Sequence, residues 1–164
     1  MDRIYLDNAA KTKISEEVID AMDDVMKTNY GNPSSTHSFG RNAKNILELS
    51  RKSIARQLNV SAQQIIFTSG GTEANNWILR SSVQDLKVKR IISSKIEHHA
   101  VLLAITALQK EFSIQVDYVN VFPNGEIDLT HLSTLLSQEV KTLVSLMHVN
   151  NEIGTVLDLE RTGI

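Results

Sequence analysis

The segment at residues 65–76 most constrains the fold of this chain, because it joins a short β-type run to a helical run through two glycines. Residues 65–67 are Ile, Ile and Phe, which predict a strand, and a helix is predicted to follow Gly71. Glycines let backbone N–H groups approach an anion closely, and the N–H groups at a helix start are unpaired. The segment is therefore typical of a phosphate-binding loop, although an ordinary tight strand-to-helix connection gives the same pattern.

Composition narrows the class of protein. A chain of 164 residues is about one domain. Its 17 basic and 19 acidic residues are scattered, so we expect neither a nucleic-acid partner nor an anionic membrane surface. The absence of cysteine removes disulfides, thiolate metal sites and a cysteine nucleophile from these residues. Residues 1–7 lack a signal-peptide core and no run is long enough to span a membrane, so we expect a cytoplasmic protein.

Helical and strand-like segments alternate along the chain. The predicted helices lie at 14–28, 40–58, after Gly71, at 98–111 and at 129–137. The predicted strands lie at 65–67, 90–93, 114–119 and 142–147, with a turn at 123–125. This order predicts an α/β domain with a mainly parallel central sheet, flanked by helices and preceded by N-terminal helices. A further helix begins near residue 158, close to the last residue of the sequence.

Polar segments follow three of the predicted strands, at 68–76, 97–99 and 148–155. In doubly wound α/β folds, ligands bind outside the carboxyl ends of the strands. A turn at 30–40 could fold over that edge. Several polar strand ends at one edge predict a binding site rather than a set of unrelated loops.

Five ordered segments carry a resemblance to a known family. They are Asp-Asn-Ala-Ala at 7–10, Gly-Asn-Pro-Ser-Ser-Thr-His at 31–37, Thr-Ser-Gly-Gly-Thr-Glu-Ala-Asn-Asn at 68–76, Glu-His-His-Ala-Val at 97–101 and His-Val-Asn-Asn-Glu-Ile-Gly-Thr at 148–155. Together they resemble the NifS- and IscS-like cysteine desulfurases, class V aminotransferase-fold enzymes that use pyridoxal 5′-phosphate. The resemblance implies one incomplete domain, with an N-terminal segment and helices at 1–60 and the first part of the cofactor-binding large domain at 61–164.

The resemblance also implies roles for individual residues. Gly71 and Thr72 would bind the cofactor phosphate at a helix N-terminus. His98 would stack on the pyridine ring and relay protons as the catalytic histidine, and Asn151 would hydrogen-bond the phenolic oxygen of the ring. The residues implied near the substrate pocket are Asn8, Ala9, Asn32 and His37.

Two reactive groups of the family do not match any residue of this sequence. They are the lysine that forms the Schiff base with the cofactor and the mobile cysteine that takes the sulfur, and in the family both lie beyond the segment at 148–155. We therefore expect the 164 residues to be an N-terminal portion that is inactive by itself. The complete enzyme would convert L-cysteine to L-alanine, pass sulfur to an acceptor protein for iron–sulfur clusters or thiocofactors, and form a homodimer.

Other functions fit parts of the sequence. A different class V enzyme, such as a selenocysteine lyase or an aminotransferase, would share most of the segments. A non-catalytic remnant that binds a partner would explain the missing lysine. A dinucleotide-binding domain is disfavoured because no Gly-x-Gly-x-x-Gly opens a helix. A zinc site is disfavoured because His98 and His99 are adjacent and diverge on a helix.

Overall fold

The computed structural model describes residues 3–163 and divides into two compact units, the first ending at Phe67 and the second starting at Thr68. Met1, Asp2 and Ile164, at the two ends of the predicted domain, lie outside the described residues. The predicted division of the domain at residue 60 stays a prediction. Within the described residues, no helix is both long and apolar enough to cross a membrane.

The first unit consists mainly of helices. Its elements are α1 (Glu16–Thr28), α2 (Ser38–Gln57) and a short 3-10 helix (Ala62–Gln64). Two acidic residues occupy the first turn of α1 and Lys27 its last turn, which complements the helix dipole. Both α-helices confirm the helices predicted from the apolar periodicity.

The strand predicted at residues 65–67 is wrong. Ile65 has extended backbone angles, but the segment pairs with no other strand of residues 3–163. β propensity reflects how well a side chain packs on the surface of a paired sheet. A run of three apolar residues without an adjacent strand cannot form the hydrogen-bond ladder of a sheet. Arg51 holds the segment instead, because its guanidinium donates to the carbonyl of Ile65 and lies 4.8 Å from the ring centre of Phe67.

The second unit contains a three-stranded parallel sheet, which confirms the predicted α/β class. Its strands, in the spatial order β2-β1-β3, are β1 (Arg90–Ser94), β2 (Gln115–Val119) and β3 (Thr142–Ser145). Its helices are α3 (Gly71–Gln84), α4 (His99–Phe112), α5 (Leu129–Leu136) and α6 (Leu159–Thr162). β3 ends two residues before its predicted end, since the amide of Met147 donates to a side chain rather than to a strand.

Both faces of this sheet are covered, as expected for a parallel sheet. Side chains alternate along β1, so Ile91 packs with the apolar residues of α3 and α4 while Ile92 packs with those around α5. Both isoleucines have no exposed surface. The loops after β1 and β3 emerge at the same edge because the two strands are parallel neighbours, and this edge carries the candidate site.

Candidate active site

The N-terminus of α3 presents free backbone donors. The amides of Gly71, Thr72 and Glu73 donate to no acceptor among the described residues, and neither does the hydroxyl of Thr72. A Cβ built on Gly70 or Gly71 would meet no atom within 4 Å, so the approach to these amides is open. Gly70 has φ 157° and ψ −179°, a conformation that is essentially restricted to glycine.

Glu73 closes the turn that leads into α3. Its carboxylate accepts from the backbone N–H of Ser69 at 2.6 Å and from the Ser69 hydroxyl at 2.7 Å. The hydrogen bond from the Ser69 backbone, followed by that from its hydroxyl, holds the pKa of Glu73 below its ordinary value. Glu73 thus uses the amide of Ser69 and leaves those of the first helical turn available to an anion.

His98 lies exposed at the start of α4 and caps that helix. Its Nδ1 accepts from the backbone N–H of Ala100 at 3.1 Å. A nitrogen that accepts carries no proton, so the neutral ring in this geometry is protonated at Nε2. The cap therefore fixes both the position of the imidazole and the atom that can donate.

Asn151 lies in a loop that turns back on itself after β3. Val149 and Val156 form an antiparallel bridge across the loop, and the amide of Leu157 donates to the carbonyl of His148 at 2.7 Å. Asn151 is exposed at the tip, where its Nδ2 donates to Oε1 of Glu152 at 2.8 Å. The second N–H of this carboxamide is available to another acceptor.

The loops that carry His98 and Asn151 are joined by two buried neighbours of these residues. Oε1 of Glu97 accepts from the amide of Met147 and from the hydroxyl of Ser94, both at 2.9 Å. Nδ2 of Asn150 donates to the carbonyl of Ile96 at 2.9 Å. Burial is the main influence on Glu97 and raises its pKa, outweighing the hydrogen bonds from Met147 and Ser94 that lower it.

Helices α3 and α4 place the unpaired amides at the start of α3 at the same edge as His98. The guanidinium of Arg80 makes two hydrogen bonds to the carboxylate of Glu111, at 3.0 and 2.8 Å, joining the C-terminal half of α3 to the last turn of α4. Each helix also ends shortly before the start of one of two parallel strands, α3 before β1 and α4 before β2, so the two helices run in the same direction. Their N-termini, marked by Gly71 and His98, lie at the same end of the helix pair.

The four residues predicted near the substrate pocket belong to the first unit. Asn8 and Ala9 are exposed in a turn. Asn32 is exposed in a second turn, where its Oδ1 accepts from the amide of Ser34 at 2.9 Å. Nδ1 of His37 accepts from the amide of Gly40 at 3.4 Å, so this histidine caps α2. The structure thus brings Asn32 and His37 into one loop, and Asn8 and Ala9 into another.

The second unit contains a cavity of about 230 Å³. Glu97 and Asn150 line it, together with side chains from the loop after β3 and from the turn at Gly125. None of Thr72, His98 and Asn151 lines it. These three candidate cofactor residues are instead exposed, and the cavity adjoins their buried neighbours Glu97 and Asn150.

Glu97 and Asn150 are the two residues of this site that the sequence analysis did not single out. Glu97 is 8% exposed and Asn150 is 5% exposed, although each sits in a loop. Their position is the signal that could have indicated a supporting role. Each is a polar residue that stands directly before a candidate site residue in its motif. Their partners lie about 50 residues away in sequence, which no local pattern reveals.

These groups fit a phosphate-bearing aromatic cofactor. Unpaired amides and a hydroxyl at a helix N-terminus suit a phosphate dianion. An exposed imidazole with a defined tautomer suits the face of a ring, and a carboxamide with a free N–H suits a phenolic oxygen. The donor set is therefore complementary to pyridoxal 5′-phosphate.

Comparison with known proteins shows the family. The family described as Aminotransferase class-V matches residues 4–163, and this chain belongs to it. Cysteine desulfurase IscS of Dictyoglomus turgidum is 43% identical over 155 residues, covering 93% of this chain. Putative cysteine desulfurase IscS 1 of Bacillus subtilis is 39% identical over 99% of the chain. Cysteine desulfurases are pyridoxal-phosphate-dependent enzymes of this family.

Solved structures confirm the fold. A NifS-like protein superposes with a TM-score of 0.92 at 36% identity and covers 99% of this chain. A structure described as SspA in complex with cysteine superposes with a TM-score of 0.82 at 28% identity over 94% of the chain. The fold is therefore that of the NifS-like pyridoxal-phosphate transferases.

The chain spans about two fifths of the length of the curated relatives it matches. It covers 39% of the Dictyoglomus protein and 43% of the Bacillus protein. It likewise covers 44% of the NifS-like structure. The matching portion is the N-terminal part of those proteins.

Proposed function

We propose that the protein containing this sequence is a pyridoxal-phosphate-dependent cysteine desulfurase that converts L-cysteine to L-alanine. The observation that carries the proposal is the open N-terminus of α3, whose unpaired amides lie at the same end of the helix pair as His98. The named relatives support the reaction, as does the structural neighbour described as bound to cysteine. When bound, the cofactor supplies an electron sink for the bonds around the substrate α-carbon.

Each candidate site residue of the second unit has a distinct task in this proposal. The amides of Gly71 and Thr72, with the Thr72 hydroxyl, bind the cofactor phosphate. His98 is the catalytic histidine, which lies on the ring and holds or releases a proton at Nε2. Asn151 donates the free N–H of its carboxamide to the phenolic oxygen, and so orients the ring.

The first unit is proposed to contribute to the substrate pocket. Asn8, Ala9, Asn32 and His37 are exposed in two loops, with polar groups available to a small amino-acid substrate. Substitution of Asn32 or His37 in the whole protein tests this proposal. If these loops bind the substrate, each substitution should raise the KM for L-cysteine.

The sulfur chemistry is proposed to depend on groups outside these residues. The sequence contains no cysteine to accept the sulfur, and none of its lysines lies in a matching cofactor motif. We therefore propose that the 164-residue chain by itself releases no alanine from L-cysteine. In the whole protein the sulfur would pass to an acceptor protein for iron–sulfur clusters or thiocofactors. A homodimer and a cytoplasmic location remain predictions.

The experiment measures alanine and sulfide released from L-cysteine by the full-length protein loaded with pyridoxal 5′-phosphate. We expect turnover, and we expect His98→Ala to lower kcat by about a hundredfold or more, as loss of a general acid or base does. His99→Ala is the matched control, because His99 is exposed and adjacent, and its side chain forms no hydrogen bond with the described residues.

Competing substrates decide between members of the family. A faster reaction with L-selenocysteine would indicate a selenocysteine lyase instead. Transfer of the amino group to a keto acid, in place of sulfide release, would indicate an aminotransferase. Equal loss in His98→Ala and His99→Ala would remove His98 from the proposed mechanism.

A further inference from the structure

We propose that Glu97 and Asn150 are positioning residues, which hold His98 and Asn151 at a fixed separation so that both reach one cofactor. This inference rests on the proposed function, because it concerns how that cofactor site is built. Neither residue is assigned contact with the cofactor or the substrate. Each acts through its exposed neighbour in sequence.

Glu97 ties the end of β3 to the loop before α4. β3 leaves the sheet ladder after Ser145, and the amide of Met147 donates to Oε1 of Glu97 at 2.9 Å. The same oxygen accepts from the hydroxyl of Ser94, the last residue of β1. The carboxyl group therefore joins the carboxyl ends of two neighbouring strands immediately before His98.

Asn150 makes the reverse connection. Its Nδ2 donates to the carbonyl of Ile96, while its Oδ1 accepts from the amides of Glu152 at 2.9 Å and Ile153 at 3.2 Å. Its own amide donates to the carbonyl of Thr155 at 2.9 Å. One buried side chain thus shapes the loop around Asn151 and fastens it beside the residues that precede His98.

The burial of these polar groups indicates positioning rather than general stabilisation. A carboxyl group that is 8% exposed is costly to bury, and an apolar residue would fill the same space at lower cost. An apolar residue could not accept the amide of Met147 or donate to the carbonyl of Ile96. Both connections run between the loops of the candidate site, and each spans at least 50 residues of sequence.

The first test measures cofactor affinity in the full-length protein by titration with pyridoxal 5′-phosphate, followed by its visible absorbance. We expect Glu97→Ala and Asn150→Ala each to weaken binding about tenfold, because the first leaves the amide of Met147 and the second leaves the carbonyl of Ile96 without its partner. Glu97→Gln keeps an acceptor and should stay within about twofold of the parent protein. Glu126→Ala is the matched control, since Glu126 lines the same cavity without a side-chain hydrogen bond to the described residues.

A second measurement needs no cofactor. Amide hydrogen exchange should become faster at Met147 in Glu97→Ala, and at Glu152 and Ile153 in Asn150→Ala, with unchanged exchange in the strands. A variant that exchanges faster everywhere has lost its fold, and Glu97→Met, which fills the same space without an acceptor for the Met147 amide, then carries the comparison. Unchanged exchange at all three amides would overturn the proposed connections.

A double substitution separates positioning from general loss of stability. In a His98→Ala background, Glu97→Ala should weaken cofactor binding by much less than tenfold, because the group it positions is already gone. A full tenfold effect in that background would overturn the proposal. If the parent protein binds no cofactor, the proposed function fails and this inference fails with it. If the parent binds and the single variants bind equally well, only this inference fails.

Discussion

Individual residues divide the candidate site into exposed groups and buried supports. His98 and Asn151 are exposed, while Glu97 and Asn150 beside them are buried. The sequence could indicate the exposed residues, because they stand in motifs and follow predicted strands. It could not indicate the supports, because a buried environment arises only when segments distant in sequence come together.

Glu97 should make stability depend on pH. Burial raises its pKa from the ordinary value of 4.5, so the folded protein binds this proton more tightly than the unfolded chain does. Its favourable contribution is therefore complete below about pH 4.5 and is lost as the pH rises through the folded pKa. Glu97→Gln removes this titration, and its free energy of unfolding relative to the parent should increase from pH 4 to pH 8.

Denaturant unfolding of the two proteins across this pH range measures the difference. Each unit of separation between folded and unfolded pKa values contributes about 1.4 kcal/mol. A difference that is constant with pH, or that decreases as the pH rises, would contradict the assigned direction. Glu126→Gln, at an exposed carboxylate of the same cavity, provides the baseline.

Gly70 and Gly71 should respond differently to alanine. Gly70 has φ 157°, which alanine rarely adopts, so Gly70→Ala should lower the free energy of unfolding by about 1–3 kcal/mol. A Cβ on Gly71 meets no atom, so Gly71→Ala should change stability by less than about 0.5 kcal/mol. Thermal unfolding of the two variants tests the turn geometry, and equal effects would show that Gly70 is not conformationally required.

At the scale of elements, the sequence predicted the helices and the parallel strands well because each has a strong apolar period. α3 begins at Gly71 and α4 at His99, close to their predicted starts. The strand predicted at 65–67 is wrong because apolar residues indicate burial but do not show whether a partner strand is present. The spatial order β2-β1-β3 also could not be predicted, since local periodicity does not specify which strands are neighbours.

The packing of α3 on α4 should depend on the buried face of α4. Ile105 is fully buried in the apolar cluster that these helices share with β1, so Ile105→Ala should lower the free energy of unfolding by about 2–5 kcal/mol. Leu103 lies on the same helix and is 68% exposed, and Leu103→Ala should change it by less than about 0.5 kcal/mol. Denaturant unfolding that ranked Leu103→Ala as the more harmful change would contradict the packing described.

At the scale of the whole molecule, the sheet edge explains why the motifs at 68–76, 97–101 and 148–155 of the second unit can serve one site. Parallel neighbours β1 and β3 release their loops at the same edge, and α3 and α4 begin at one end of their pair. The sequence predicted that polar strand ends would meet. It could not predict the buried Arg90, whose Nε donates to Asp117 at 2.6 Å inside the same sheet, because charged residues are rarely fully buried.

A crystal structure of the full-length protein grown with pyridoxal 5′-phosphate would show whether these residues contact one cofactor. We expect the phosphate within hydrogen-bonding distance of the amides of Gly71 and Thr72, the imidazole of His98 against the ring, and the carboxamide of Asn151 at the phenolic oxygen. A cofactor bound elsewhere, or Thr72, His98 and Asn151 held too far apart to contact one molecule, would contradict it.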